Sequence, residues 1–443
     1  MKLHFLVAVS AAAVVVASAC GSSNQCGAAT CQSGCCTASG QCVESGKASA
    51  CGTGGATCAV CTSAQTCTQN VCVAGTGGGG STGGGTATGG GTATGGGTGT
   101  GGGSGGGGGT QPTASSFMVI RISADGGLTS AAAGFVLEER TLDTGAVTRT
   151  IDVTGTSSPA VTLSGSATSE GVLNLSGDKR FVSLACYVAS PGQTSVNSTA
   201  GIARAVARVA ADGTVDTSTR ITDSYFLNNI RSAASDTGDG FWLAGASAAS
   251  LDGGVRYVAL GSSGATTPVY SDIQNIRATH VANGILYAST ASNPGDAGVT
   301  RVFSFGGVPT SAAAASSLPG LSITSPQGLA VLDLNPNVPG HDVVYVADST
   351  QGIGLRKFVF SGTAWSEAAT FNQATPGNVT CLHVAAELQG SEVVVLCATN
   401  ESTANRVLRF TDVGGTATSS PTPTVLATAP AGSIFRGVAF SPR

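Results

Sequence analysis

The chain has 443 residues, with 20 Lys plus Arg against 24 Asp plus Glu and a formal net charge of −4. Charged residues make up only 10% of it, which excludes the basic footprint of a nucleic-acid binder or of a protein held on an anionic membrane surface by charge. The length fits one large domain and a small one, and no apolar run after the first twenty residues approaches a membrane-spanning helix.

At the start, Lys2 precedes the almost wholly apolar Leu3–Val16 and the small residues Ala17-Ser18-Ala19. That layout predicts a signal peptide over residues 1–19. Ala17-x-Ala19 suits the general signal peptidase. Ala17-Ser18-Ala19-Cys20 resembles a bacterial lipobox, with Ala17 where Leu is usual, and implies a lipid on Cys20. Cysteine arithmetic favours the lipid, because the ten cysteines from Cys26 to Cys72 can pair among themselves and leave Cys20 over. The expectation is a lipoprotein at the outer membrane or cell surface, with a soluble secreted form as the alternative.

Residues 20–73 hold eleven of the fourteen cysteines and no Phe, Tyr or Trp. A module this small and this poor in large apolar residues needs covalent staples, so up to five disulfides are expected between Cys26 and Cys72. Cys58-Ala-Val-Cys61 could be read as a redox pair or half a zinc site. The module has no histidine and no βαβ pattern, so structural disulfides are the better reading. The run Gly34-Cys35-Cys36, Cys51-Gly52, Cys58-x-x-Cys61 and further single cysteines resembles the cysteine-rich segments near the N-termini of many myxobacterial surface lipoproteins. Residues 74–116 are Gly, Thr, Ser and Ala, the composition of a flexible linker. Gly102-Gly103-Ser104-Gly105-Gly106 spells GxSxG, but polyglycine lacks the strand and helix that a hydrolase elbow requires.

Residues 117–443 show short apolar or alternating runs divided by Gly, Asp, Asn and Pro, among them Phe117–Ile122, Gly134–Arg140, Phe181–Val188, Val343–Val346 and Val393–Ala398. Many short strands predict an all-β domain: a propeller, barrel or sandwich. Repeats decide among these. Asn229-Ile230-Arg231 recurs as Asn275-Ile276-Arg277, and Ser169-Glu170-Gly171-Val172 is echoed by Pro326-Gln327-Gly328-Leu329 and Phe435-Arg436-Gly437-Val438. Thr380-Cys381-Leu382-His383 falls where a further member belongs. The alignment sets Glu170, Arg231, Arg277, Gln327, Cys381 and Arg436 at one position of six four-stranded units. The last run, Ile434–Phe440, is a first strand with nothing behind it, and Phe117–Ile122 lacks one, so the two are expected to pair. A six-bladed β-propeller results, with seven blades or a β-sandwich as fallbacks.

Phe135-Val136-Leu137-Glu138-Glu139, Leu163–Gly171, Gly253–Val258, Asp333-Leu334-Asn335-Pro336, Tyr345-Val346-Ala347-Asp348 and Phe435–Ala439 together resemble an uncharacterised bacterial propeller-like family. The resemblance spans nearly all of 117–443 and implies the fold without an activity.

Converging first strands would bring Glu170, Arg231, Arg277, Gln327 and Arg436 to one mouth of the channel, where arginine forks suit a carboxylate, phosphate or sulfate. The competing expectation is that these groups satisfy one another in a polar channel. Asp143-Thr144-Gly145 and Asp236-Thr237-Gly238 would suit an aspartic protease if brought together, but both fall where hairpin turns are needed. His280, His341 and His383 lack metal-ligand spacing, so no metal or other cofactor is expected. The acidic stretches Asp236–Asp239 and Asp333–Asn337 are the two that would suit calcium. Cys381 and Cys397 stand at equal distance from Gln389, which predicts a cross-strand disulfide, and Cys186 a buried free thiol. The sum is a monomeric, non-catalytic surface binding protein for an anionic ligand or a surface partner. The alternative is a hydrolase or lyase acting on a sugar or lactone at the axis.

Overall fold

The computed structural model describes residues 26, 31, 34–37, 42–44, 51, 57–58, 65–68 and 71–74, then 113–443 apart from 125–126, 250–251, 295–296, 351–353, 372–378 and 414–420. The signal peptide expected over 1–19, Cys20, Cys61, the Gly102–Gly106 run and most of the linker lie outside them. The chain divides into two compact units, 1–105 and 106–443.

In the first unit two hairpins are held by disulfides. Gly34–Cys36 pairs with Cys42–Glu44, and Gln65–Thr68 with Val71–Ala74. Cys26 bonds Cys36, Cys31 bonds Cys42, Cys35 bonds Cys58, and Cys51 bonds Cys67. The sulfurs of Cys26, Cys31 and Cys36 lie within 4.8 Å of one another, but each is used in one of these bonds. Cys58 likewise reaches back to Cys35 and is not a thiol poised for exchange. Such a framework belongs to an exported protein in an oxidising compartment.

The second unit is nearly all β; its helix Val153–Thr156 is one turn capped by Asp152. Four successive antiparallel sheets have four strands each, in chain order. Their first strands are Ile230–Ala234, Ala278–Ala282, Pro326–Leu332 and Cys381–Gln389. The remaining strands form one larger sheet instead of two separate units. It contains the series Ser433–Phe440, Ser116–Ser123, Ala132–Thr141 and Val147–Asp152, and the series Asn174–Leu175, Phe181–Val188 and Arg204–Ala210. The fusion has a local cause. Ala132–Thr141 outruns its neighbour, which pairs only from Val136 onward, and Asn174–Leu175 covers only Val182 and Ser183. Val161–Ser164 fills both gaps, pairing Ala132–Ala133 on one edge and Tyr187–Val188 on the other. Strand edges left bare in this way are the ones a further strand takes up.

Five buried apolar clusters lie between successive sheets, and a sixth lies within the larger one. Phe241, Leu243, Val206 and Tyr187 join one pair; Trp242, Val255, Leu286 and Phe303 join the next. Leu329, Val344, Tyr287 and Val302 follow, then Tyr345, Phe371, Leu408 and Phe410. Val394, Leu396, Phe117 and Phe435 join the last four-stranded sheet to the strands nearest the two ends of the unit, and Ile120, Leu137, Leu184 and Val209 complete the series. Each large side chain so buried contributes roughly 1.5–3 kcal/mol. The C-terminal strand pairs Phe435 with Arg121, Val438 with Val119 and Phe440 with Phe117.

Cys381 and Cys397 are disulfide-bonded, with Cα atoms 5.7 Å apart. They are not directly opposite as their spacing predicts: Cys381 faces Thr399 and Cys397 faces Val384. The turn pairs Gln389 with Glu392, and the register slips between Cys381 and His383. Cys186 is buried and free, and burial pushes its thiol up to about 12. Among the described residues no helix is long and apolar enough to cross a membrane.

Candidate functional site

Four of the first strands slip register near their start. The slips fall between Ile230 and Ser232, Pro326 and Leu329, Cys381 and His383, and Phe435 and Val438. Such bulges re-aim one side chain out of the alternating pattern. They make Arg231, Gln327, Leu382 and Arg436 equivalent, and Arg277 occupies the same place just before Ala278. Leu382 therefore replaces Cys381 in the predicted set. The residues after the bulge meet their neighbours closely: the Gly437 N–H donates to the Gly171 carbonyl, and a Cβ on Gly437 would sit 2.1 Å from that oxygen.

The predicted residues do not act as one cluster. Glu170 is fully buried; its Oε1 accepts from Tyr187 Oη at 2.6 Å and from Asn229 Nδ2, and its Oε2 from the Ser164 N–H at 3.0 Å. Burial raises its pKa, and these bonds together with the Arg436 charge oppose the rise. Arg436, 1% exposed, donates to the Ala167, Ser164 and Gly165 carbonyls and ties the C-terminal strand to the 164–167 loop. Burial lowers its pKa to about 10. Gln327 donates to Ser349 Oγ at 3.0 Å. These three are internal staples.

Arg231 and Arg277 differ from them. Arg231 Nε donates to Ser169 Oγ at 3.2 Å, and its Nη1 donates to Asn275 Oδ1 at 2.6 Å and the Ile276 carbonyl at 2.9 Å. Its Nη2 has no bond among the described residues. Burial, and next the Arg277 charge, lower its pKa to about 10. Arg277 makes no side-chain hydrogen bond or ion pair among the described residues, and its Nε is buried without a partner. The repeat explains this. Asn275, in the Asn-Ile-Arg of the next repeat, accepts from Arg231, and Asn229, from the same place in its own repeat, donates to Glu170. The residue that should serve Arg277 is Ser325, whose Oγ is engaged with Ser349 Oγ at 2.8 Å. Two neighbouring guanidinium groups thus stand together, one with no acceptor among the described residues.

His383, beside this position, is buried with neither ring nitrogen hydrogen-bonded. His341 shares a hydrogen bond of 2.9 Å with Tyr287 Oη. Asp143 and Asp236 sit in hairpin turns of different sheets and form no carboxylate pair. In the Asp333–Asn337 loop the carboxylate that caps the turn is Asp342, which accepts from the Leu334 and Asn335 N–H groups. Sequence reading missed Tyr187, Ser169 and the two asparagines as partners, although the repeated Asn-Ile-Arg carried the signal for the last two. It also missed a cavity of about 260 Å³ running along the first strands on the other side of the bulges.

No family model matches the chain, and no curated protein matches it in sequence. Among solved structures it is similar to a provisionally assigned 6-phosphogluconolactonase from Bacteroides uniformis, with 14% identity over 72% of this chain and 84% of that one and a TM-score of 0.41. It is also similar to the major Malassezia sympodialis allergen Mala s 1, at 11% identity over 69% and 91% with a TM-score of 0.41. A third is an ACO/RPE65 chimera, at 9% identity over 71% of each chain with a TM-score of 0.40. None is similar enough to transfer an activity.

Proposed function

We propose that this protein is a cell-surface lipoprotein anchored through Cys20, whose second unit is a six-bladed propeller that binds an anionic ligand between Arg231 and Arg277. The five clusters between successive sheets, the sixth within the larger sheet and the pairing of Ser433–Phe440 with Ser116–Ser123 support a closed ring. Val161–Ser164 is then an extra strand bridging two blades. The observation that carries the binding reading is Arg277. Arg277 is half-buried, and its Nε, shut off from water without an acceptor, is unfavourable, the more so beside a second arginine. A carboxylate, phosphate or sulfate accepting from Arg277 and from Nη2 of Arg231 relieves both, since planar forks match such oxyanions. Binding is the reading favoured at this pair, because Glu170 is committed to Tyr187, Asn229 and Ser164 and does not stand free as an acid or base there.

The test compares melting of the mature chain in sulfate, phosphate and chloride at matched ionic strength. An anion with a Kd of about 1 mM stabilises by about 1.4 kcal/mol at about 10 mM. Sulfate or phosphate is expected to raise the melting temperature of the wild type and to leave Arg277→Gln unchanged. Equal responses in both proteins would remove the site.

A further inference from the structure

The cavity along the first strands is separate from the arginine pair and carries its own recognition chemistry. Its walls include Val172, Ala278, Leu329, Val331, Val384 and Phe440, contributed by four strands and the segment that leads into Asn174–Leu175. At about 260 Å³ it is smaller than the roughly 300–1,000 Å³ of drug-sized sites, so it has room for one small molecule. His280 lines it and makes no hydrogen bond among the described residues; burial lowers its pKa to about 4 and keeps the ring neutral. The lining also carries three charged groups, Lys179, Asp333 and Glu387. Lys179, held at φ +65°, lies 3.8 Å from Glu387 Oε2, but Glu387 already takes Arg443 at 2.6 Å through Oε1. Lys179 is thus the weaker partner of a shared carboxylate. Asp333 is exposed and makes no hydrogen bond or ion pair among the described residues, its charge acting at longer range on His341.

We propose that this funnel is a second binding site, for a small zwitterion with an apolar side chain, of which an apolar α-amino acid is the type. The side chain enters the apolar walls, the carboxylate meets Lys179 and the ammonium meets Asp333. A purely apolar molecule leaves both charges unused, and a dianion is repelled by Asp333 and Glu387. The site does not depend on the arginine pair, so the two readings fail separately.

Titration calorimetry on the mature full chain tests it with four probes: L-leucine, glycine, 4-methylpentanoate (leucine without its ammonium) and 3-methylbutan-1-amine (leucine without its carboxylate). Leucine is expected to bind, and the other three at least about tenfold more weakly, each lacking one contact of that size. Lys179→Gln and Asp333→Asn should each weaken leucine about tenfold or more, while Arg277→Gln leaves it unchanged. Both changes lie at partly or fully exposed positions, and melting curves verify that the variants fold. Ala282→Phe, which fills the funnel, should block leucine as an independent check. Absence of leucine binding up to about 10 mM, binding that survives both charge variants, or an amine or acid that binds as well as leucine overturns the proposal.

Discussion

Acidification from pH 7 to pH 5 should destabilise the second unit, and His383 contributes a defined share. The imidazole is buried beside the bulge with no hydrogen-bond partner for either nitrogen. Burial lowers its pKa to about 3; the Arg436 charge adds to this, and only the Thr168 backbone pulls the other way. The unfolded chain has an ordinary histidine, near 6.5. A depressed folded pKa means that the unfolded state takes up the proton first, so stability present above about 6.5 is lost as pH falls towards the folded value. At pH 5 the two states differ by about 1.5 units of driving force, or about 2 kcal/mol. For a domain of this size that corresponds to a fall in melting temperature of about 3 °C. Calorimetric melting of the wild type and His383→Leu across this range isolates the effect, because every other group is common to both. The variant should lose about 2 kcal/mol less than the wild type between pH 7 and pH 5. Parallel curves would refute the reasoning, since a histidine that costs nothing to protonate is not sealed in the core.

Other outcomes follow from the same contacts. Arg436→Met removes the bonds to the Ala167, Ser164 and Gly165 carbonyls and strips Glu170 of its nearby cation, and should destabilise by about 3–5 kcal/mol in denaturant titration. Glu170 has a raised folded pKa, so its contribution to stability falls as pH rises above about 4.5; Glu170→Gln should flatten that slope relative to the wild type. Asn405 holds both the N–H and the carbonyl of Phe435 at 2.8 Å, so Asn405→Ala should destabilise by about 2–4 kcal/mol and speed exchange of the Phe435 amide. Peptide mapping without reductant should find Cys381 linked to Cys397, and Cys186 alkylated only after denaturation.

Much of the fold was legible because periodicity and repeats are local signals. Phe117–Ile122, Phe181–Val188 and Val393–Ala398 fall within observed strands, and the pairing of the C-terminal strand with Ser116–Ser123 follows from two runs that each lacked a neighbour. Val161–Ser164 was not legible, because its role depends on how far two other strands fail to cover their partners. The equivalence of Cys381 was misassigned for a related reason: only a register shift distinguishes it from Leu382. At the site the arginines could be located from the sequence, but their acceptors could not. Whether an arginine is a staple or a free fork turns on one residue in the neighbouring repeat, Asn275 for Arg231 and Ser325 for Arg277. The cavity was invisible for the same reason, since its lining comes from separate repeats and no motif marks it.

The central claim, an oxyanion held by Arg231 and Arg277 on a closed ring, is tested most directly by a crystal structure of the mature chain grown with selenate in place of sulfate. The account predicts an anomalous selenium peak about 4 Å from the Arg277 guanidinium and from Arg231 Nη2, with selenate oxygens at hydrogen-bond distance between them. A protein carboxylate against Arg277, or selenate found only at other arginines, would contradict it.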